Sequence, residues 1–345
     1  MIGLNTLKLK LDDSSREESI RKAARIIQRG GLVGMPTETV YGLAANAFDE
    51  EAVRRVFEAK GRPQDNPLIV HIADREMMEP LVTEIPPEAV ACAERFWPGP
   101  FTMILPKTDK IPPSVCAGLS TVAIRMPSDP IAHALIKESG LPIAAPSANR
   151  SGLPSPTTAE RVVEDMDGRI DAVLMAGPCE VGVESTVVTF ATNPPRLLRP
   201  GGVTLEELKT VLPDIEVDPA VLEKIDVNKP VASPGMKYKH YAPRCEVTMI
   251  KGDTAAFCDY VNAHAAEGVC TLCFEEDLPY LTVPTVCYGS SGNGALQANE
   301  LFDALRRLDD EGYTVCFAHA PTLKGVGLAV YNRLIRAAAF RVVIL

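Results

Sequence analysis

The sequence predicts an α/β protein built as two domains: a larger one with a mixed sheet over residues 1–212 and a small one over residues 246–345. Three observations carry this prediction. Short apolar runs alternate with stretches of helical apolar period up to about residue 212. The alternation breaks over residues 213–245, where proline and charge replace it. It then resumes in a regular strand–helix order that fits a parallel sheet. The length of 345 residues agrees with two domains at roughly 100–200 residues each.

Taken in order, "SSREESIRKAARIIQRGG" sets Ile20, Ala23, Ala24, Ile26 and Ile27 near a helical period. Ser15 with Glu18 is expected to form a capping box, and Gly30–Gly31 to stop the helix. "LVGMPTETVYGLAANA" reads as a strand, a proline-broken turn carrying Thr37, Glu38 and Thr39, and an apolar segment. "DEEAVRRVFEAKG" is a helix opened by Asp49 and closed by Gly61. A buried strand ("NPLIVHI"), a helix ("PPEAVACAERFWPG") and another strand ("PFTMILPK") follow. "STVAIRMPSD" and "LPIAAPSANRSG" are strands that run into polar, proline-bearing loops. "DAVLMAGP" and "ESTVVTF" add strands, and "PRLLRPGGVTLEELKTVL" ends in a helix near residue 212. Several connections are too short for helical crossovers, so parallel and antiparallel pairs are both expected.

Residues 213–245 read as a linker. Its "SPGMKYKHYAP" packs Lys237, Tyr238, Lys239, His240 and Tyr241 between two prolines, a composition suited to a lid over an active site. Beyond it, "CEVTMIKGD", "VCTLCFEE" and "YTVCFAHAP" alternate with helical patterns such as "ANELFDALRRLDDEG" and "GVGLAVYNRLIRAAAF". This is the order of a small Rossmann-like α/β domain.

Composition excludes several function classes. The formal net charge of −10 lacks the basic footprint of a nucleic-acid binder, so any tRNA contact is expected to be weak. No apolar run reaches the ~20 residues needed to span a bilayer. The N-terminus lacks the basic start and apolar core of a signal peptide, which predicts a cytoplasmic protein without a membrane partner. Nine scattered cysteines fit a reducing compartment. Only Cys270 and Cys273 form a CxxC, inside a strand pattern and without a second ligand pair, so no protein-bound metal is predicted. GxxxxGK, HExxH and GxSxG are all absent.

What remains is a set of polar residues at strand ends. "KGRPQDNPLIVH" gathers Lys60, Arg62, Asn66 and His71 on a segment that prolines and a glycine keep from being one helix. Thr37 and Thr39 precede it; Thr121, Arg125, Ser147, Asn149, Ser155, Glu184, Ser185 and Arg199 follow at similar junctions. Loops beyond the strand ends of an α/β sheet line a common crevice. Arginine forks and a lysine there suit phosphate and carboxylate oxygens, while the hydroxyls and amides add directional hydrogen bonds. The pattern points to a nucleoside triphosphate beside a small polar partner, with catalysis by positioning and charge stabilisation. Taken singly, the arginines also fit structural ion pairs, His71 a structural histidine, and "PSAN" an ordinary turn.

"PTETVYGL", "KGRPQDNPLIVH", "AIRMPS" and "PSANRSG" resemble the signature blocks of the YrdC-domain enzymes, the threonylcarbamoyl-AMP synthases. The KxR…SxN pattern of that family is matched by Lys60, Arg62, Ser147 and Asn149. "SPGMKYKHYAP" and "GVGLAVYNRLIRAA" resemble the linker and C-terminal domain of its two-domain form. The resemblance implies a YrdC-like twisted mixed sheet with a deep cationic cavity. It also implies condensation of L-threonine, bicarbonate and ATP to threonylcarbamoyl-AMP and pyrophosphate, with a tRNA threonylcarbamoyltransferase as downstream partner.

Carried over by motif, Arg62, Asn66, Thr121, Ser147, Asn149, Ser155, Arg199 and Tyr238 would bind ATP. Thr39, His71, Arg125, Ala145 and Ser185 would bind L-threonine, with Arg125 facing its carboxylate. Lys60 and Arg62 are the expected catalytic residues, stabilising charge at the transferring oxygens, and magnesium is implied with the nucleotide. Family members often carry threonine at the positions of Ala145 and Ser185, so a hydroxyl contact from position 145 is not expected here. Two other readings fit the sequence less well. A carbamoyl-adenylate-forming maturation factor would bring zinc-finger and acylphosphatase-like segments that this sequence lacks. An RNA-binding module sits poorly with the net charge.

Overall fold

In a computed structural model that describes residues 4–223 and 241–345, the chain divides into two units. Among the described residues, the first comprises residues 4–151, 155–180 and 184–223, and the second residues 152–154, 181–183 and 241–345.

The first unit opens with β1 (Leu7–Lys10) and α1 (Arg16–Gln28), which buries Ile20, Ala23, Ala24 and Ile27 as the period requires. The expected capping box at Ser15 does not form: its hydroxyl donates to Asp12 Oδ1 at 2.8 Å and Lys10 O at 3.1 Å. The Asp12 carboxylate, three residues upstream, accepts from the Ser14 and Ser15 amides and from the Ser15 hydroxyl instead. β2 (Val33–Met35) and β3 (Gly42–Asn46) pair antiparallel around the Pro36–Tyr41 turn. α2 (Glu50–Lys60) starts where Asp49 accepts from the amides of Glu51 and Ala52, and ends at Gly61 with φ of 64°. That left-handed residue reverses the chain between Lys60 and Arg62.

β4 (Ile69–His71), α3 (Pro87–Phe96), β5 (Phe101–Pro106) and β6 (Thr121–Arg125) come next. They are followed by α4 (Pro130–Ser139), β7 (Ile143–Ala144), α5 (Ala159–Met166) and β8 (Ala172–Met175). β9 (Thr186–Thr189), β10 (Arg196–Arg199), α6 (Leu205–Val211) and β11 (Glu216–Val217) close the unit. The strands form one mixed sheet in the order β1-β8-β2-β3-β7-β4-β6-β5-β9-β10-β11. Its main core takes Phe57, Leu68, Val70, Phe101, Met103, Ile124 and Leu197. α4 and α5 lie in stretches that the sequence reading left without helices; Asp129 and Thr158 cap their first turns.

The expected linker begins as part of this sheet, because β11 pairs parallel to β10 in the register Arg196↔Glu216. A two-residue edge strand with both residues exposed has no apolar alternation to announce it. Residues 224–240, including Tyr238 and most of the proposed lid, lie outside the described residues.

The second unit alternates β12 (Glu246–Lys251), α7 (Thr254–Ala263), β13 (Val269–Cys273), β14 (Thr285–Cys287) and α8 (Gly294–Asp310). β15 (Val315–His319), α9 (Gly327–Ala337) and β16 (Val342–Ile344) complete it. All its strand pairs are parallel, in the order β14-β13-β15-β12-β16. Cys270 and Cys273 sit in β13, both buried. Three residues apart on a strand, they face opposite sides of the sheet, which suits packing and not joint ligation.

Candidate active site

Five adjacent strand ends build the centre of the candidate site. β4 and β6 run parallel with His71 opposite Arg125. β5, antiparallel to β6, sets Thr102 opposite Arg125 from the other side. β9 runs parallel to β5 and starts one residue after Ser185, while β10 runs antiparallel to β9 and ends at Arg199. Register alone therefore brings Arg125, Ser185 and Arg199 to one edge.

The side chains complete the connection. Arg125, only 3% exposed, donates from Nη1 to Thr39 Oγ1 at 2.8 Å and from Nε to Gly99 O at 3.3 Å. Its Nη2 lies 2.7 Å from Glu38 Oε2, an ion pair whose N–H does not align on the oxygen. Burial pushes the Glu38 carboxyl upward, but Arg125 overrides it and holds it below its ordinary value. Thr102 and Ser185 share a hydroxyl hydrogen bond of 2.7 Å. Arg199 donates from Nη2 to Ser185 Oγ at 3.1 Å and from Nε to Ser185 O at 3.0 Å. Gly201 makes this close packing feasible: a Cβ there would stand 2.3 Å from the Thr186 amide nitrogen.

His71 is buried beside this network, its Nδ1 3.2 Å from Ile69 O. Burial first, and the Arg125 charge second, push its pKa down to about 3. The imidazole is therefore neutral at physiological pH, and it adds no positive charge next to Arg125.

The KxR…SxN residues form a second cluster. Lys60, 4% exposed, donates from Nζ to Ser147 O at 2.5 Å and to Asn149 O at 2.8 Å. The Ser147 hydroxyl donates to Asn149 Oδ1 at 2.5 Å, and Asn149 Nδ2 to Arg150 O at 2.8 Å. The sequence reading expected Lys60 at the transferring oxygens; here its ammonium clamps the "PSAN" loop. Burial and the like charge of Arg62 push its pKa well down, and Asp165 and Glu184 oppose that shift. Lys60 thus feels both Arg62 and the Glu184 carboxylate, which accepts from Ser155 Oγ at 2.6 Å. Glu184 immediately precedes Ser185, so the two clusters adjoin.

Arg62 donates from Nη2 to Asn66 O at 3.2 Å and lies over the Phe57 ring at 5.5 Å. Asn66 itself has no exposed surface, and neither its Oδ1 nor its Nδ2 has a hydrogen-bond partner. Ala145 is held through its backbone, its amide donating to Ile69 O at 3.0 Å. Thr121 starts β6 while Arg125 ends it, so the two lie about 13 Å apart along the strand.

Sequence reasoning missed Thr102 altogether. The signal was a hydroxyl near the start of the otherwise apolar "FTMILP". It singled out Glu38 only as a turn residue. A cavity of about 230 Å³ opens beside Glu38, lined also by Thr37, Ser128, Asp129, Cys179 and Glu180. Its wall is acidic, and Arg125 stands beside Glu38. Among the described residues, no group of three or more His, Cys, Asp or Glu could hold a metal ion.

Comparison with known proteins shows the family. The Sua5/YciO/YrdC family profile, described as telomere recombination, matches residues 25–201. The profile of the threonylcarbamoyl-AMP synthase C-terminal domain matches residues 203–339. A threonylcarbamoyl-AMP synthase from Pyrococcus abyssi is 46% identical over 353 residues, covering 98% of this chain and 99% of the relative. One from Bacillus subtilis is also 46% identical, over 334 residues and 96% of each chain. The crystal structure of P. abyssi Sua5 complexed with L-threonine superposes with a TM-score of 0.91 at 44% identity, covering 99% of both chains. With both domains matched and nearly half of its residues identical to full-length relatives, the chain belongs to the two-domain threonylcarbamoyl-AMP synthase family.

Proposed function

We propose that this chain condenses L-threonine, bicarbonate and ATP to threonylcarbamoyl-AMP and pyrophosphate, for transfer to tRNA by a separate threonylcarbamoyltransferase. The observation that carries this reading is the buried Arg125, bonded to Thr39, flanked by neutral His71 and joined through Thr102 and Ser185 to Arg199. The solved P. abyssi relative that carries L-threonine supports it.

In this reading the threonine carboxylate meets the Arg125 fork, where a planar guanidinium can take both oxygens. Thr39 and Ser185 contribute hydroxyls to the same edge, and His71 packs as a neutral wall. The threonine amine attacks bicarbonate, forming the N–C bond of a carbamate and releasing water. A carbamate oxygen then attacks the α-phosphorus of ATP, and the bond to pyrophosphate breaks. Arg199 and Arg62 offer charge to the phosphates, with Ser147, Asn149, Ser155 and Thr121 as polar contacts. Lys60 acts as a positioning residue, holding the loop that carries Ser147 and Asn149.

Magnesium is part of the proposal only as a companion of the nucleotide. Glu38 is committed to Arg125 and Glu184 to Ser155, so these carboxylates do not form a cage for it. That donor set suits an ion carried on phosphate oxygens and water, where it would neutralise phosphate charge. The chemistry belongs to a cytoplasmic setting. No helix among the described residues is long and apolar enough to cross a membrane.

Pyrophosphate release from ATP tests the reading. Release is expected to need both L-threonine and bicarbonate and to fall sharply when serine replaces threonine. Release that ignores the amino acid, or none at all, overturns it.

A further inference from the structure

We infer that Thr37 and Thr102, two residues outside the expected substrate contacts, are positioning residues that fix the hydrogen-bond polarity of Thr39 and Ser185. Thr39 then meets the substrate only as an acceptor, and Ser185 meets it as a donor. This inference rests on the proposed function, since the substrate concerned is the L-threonine consumed there.

Counting hydroxyl hydrogens gives each polarity. All four side chains are buried, none more than 2% exposed, and each has one hydrogen to give. Thr37 Oγ1 lies 2.6 Å from the carbonyl oxygen of Val40. A carbonyl carries no hydrogen, so the Thr37 hydrogen occupies that contact. Thr37 Oγ1 also lies 2.8 Å from Thr39 Oγ1. With the Thr37 hydrogen committed to Val40, Thr39 is the donor in this second contact. One lone pair of Thr39 accepts from Arg125 Nη1 at 2.8 Å. What Thr39 still offers a ligand is its second lone pair. It can take a hydrogen and cannot give one.

The other pair has the opposite balance. Arg199 Nη2, which can only donate, fills one lone pair of Ser185 Oγ at 3.1 Å. Thr102 Oγ1 and Ser185 Oγ stand 2.7 Å apart with one hydrogen between them. The pair owns two hydrogens, and among the described residues neither hydroxyl has a further acceptor for the second. An unpaired hydroxyl hydrogen in a buried place costs folding free energy, and an acceptor on the substrate removes that cost. Ser185 is the member of the pair beside Arg199, where an anion is drawn. Donation from Thr102 fills the second lone pair of Ser185 and leaves the Ser185 hydrogen for the substrate.

An α-amino acid matches both polarities. Its carboxylate offers only acceptors, which suit the Ser185 hydroxyl and the Arg125 fork. Its amine offers hydrogens, which Thr39 accepts. An N–H held by Thr39 leaves the nitrogen lone pair free to attack bicarbonate, whereas a donor at Thr39 would occupy that lone pair.

Pyrophosphate release by the full-length chain with varied L-threonine tests both residues. Thr102→Val keeps the shape and removes the hydroxyl. It is expected to raise the KM for threonine roughly 10-fold, with kcat and the KM for ATP held within about two-fold. Thr37→Val frees the Thr39 hydrogen to cap the amine. It is expected to lower kcat roughly 10-fold without raising the KM for threonine. Thr37→Ser and Thr102→Ser keep the hydroxyls and should restore the parental values. Thr102→Val should add nothing in a Ser185→Ala background. Thr37→Ala and Thr102→Ala repeat the comparison if either valine variant fails to fold. Calorimetric binding of threonine checks the Thr102 arm without turnover. Equal losses in kcat and in the KM for both substrates, serine variants no better than valine, or a Thr102→Val effect that persists in Ser185→Ala overturn the inference. Failure of the proposed reaction is a separate result, in which the unaltered protein releases no pyrophosphate in response to threonine.

Discussion

Arg125 shows how much of a residue's role depends on what lies around it. The sequence marked it as a cation at a strand end, equally suited to a ligand or to an ion pair, and the structure gives it a buried ion pair beside a hydroxyl. Glu38 balances its charge and Thr39 takes one arm of the fork. Lysine at this position would keep the charge but lose the planar fork and its second direction of donation. Arg125→Lys is therefore expected to lower kcat/KM for L-threonine by roughly 10²–10³-fold, because a buried pair with a misfitted partner is strongly penalised. Steady-state kinetics with varied threonine would show this; a variant within a few-fold of the parent would remove Arg125 from the substrate's path. Lys60 teaches the converse. Its motif was legible, but its contacts with the carbonyls of Ser147 and Asn149 depend on a loop far along the chain.

Among the elements, the segment from α2 to β4 carries the most. Asp49 caps the helix and Gly61 ends it, and both were legible because capping and left-handed termination are local chemistry. With φ of 64° and nothing within 4 Å of where a Cβ would stand, Gly61 is constrained by backbone conformation alone. Gly61→Ala should cost about 1 kcal/mol, the ordinary penalty of a left-handed alanine. It should also raise the KM for ATP through Arg62, the next residue. Thermal unfolding beside ATP kinetics would check both parts; an unchanged Tm would mean the turn relaxes freely. At other elements local signals misled or were silent. Ser15 and Glu18 had the spacing of a capping box, but Asp12 captured the serine. β11 was too short to leave a pattern.

At the scale of the whole molecule, stability should depend on pH through the buried site. The folded chain holds His71 near a pKa of about 3, against an ordinary 6.5. Between those values the unfolded chain binds more protons, so stability is complete above about pH 6.5 and falls as pH drops through the window. Glu38, held below its ordinary value by Arg125, adds a loss of the same sign at lower pH. Between pH 7 and pH 5, His71 should account for about 2 kcal/mol of lost stability, at roughly 1.4 kcal/mol per unit. Denaturant unfolding of His71→Gln at the two pH values would reveal a correspondingly smaller loss; an identical loss would mean another group is responsible.

The sequence by itself determined the α/β class, most of the helices and strands, and the family, which the comparisons bear out. It also supplied the cations and hydroxyls at the strand ends, because apolar period, caps and turn residues act within a few positions of one another. Only the tertiary structure decided which of those groups meet. Thr39 and Arg125 are 86 residues apart in the chain, and Thr102 and Ser185 are 83 apart. Their meeting depends on strand order and register, which are fixed by burying the whole sheet at once and not by any local stretch.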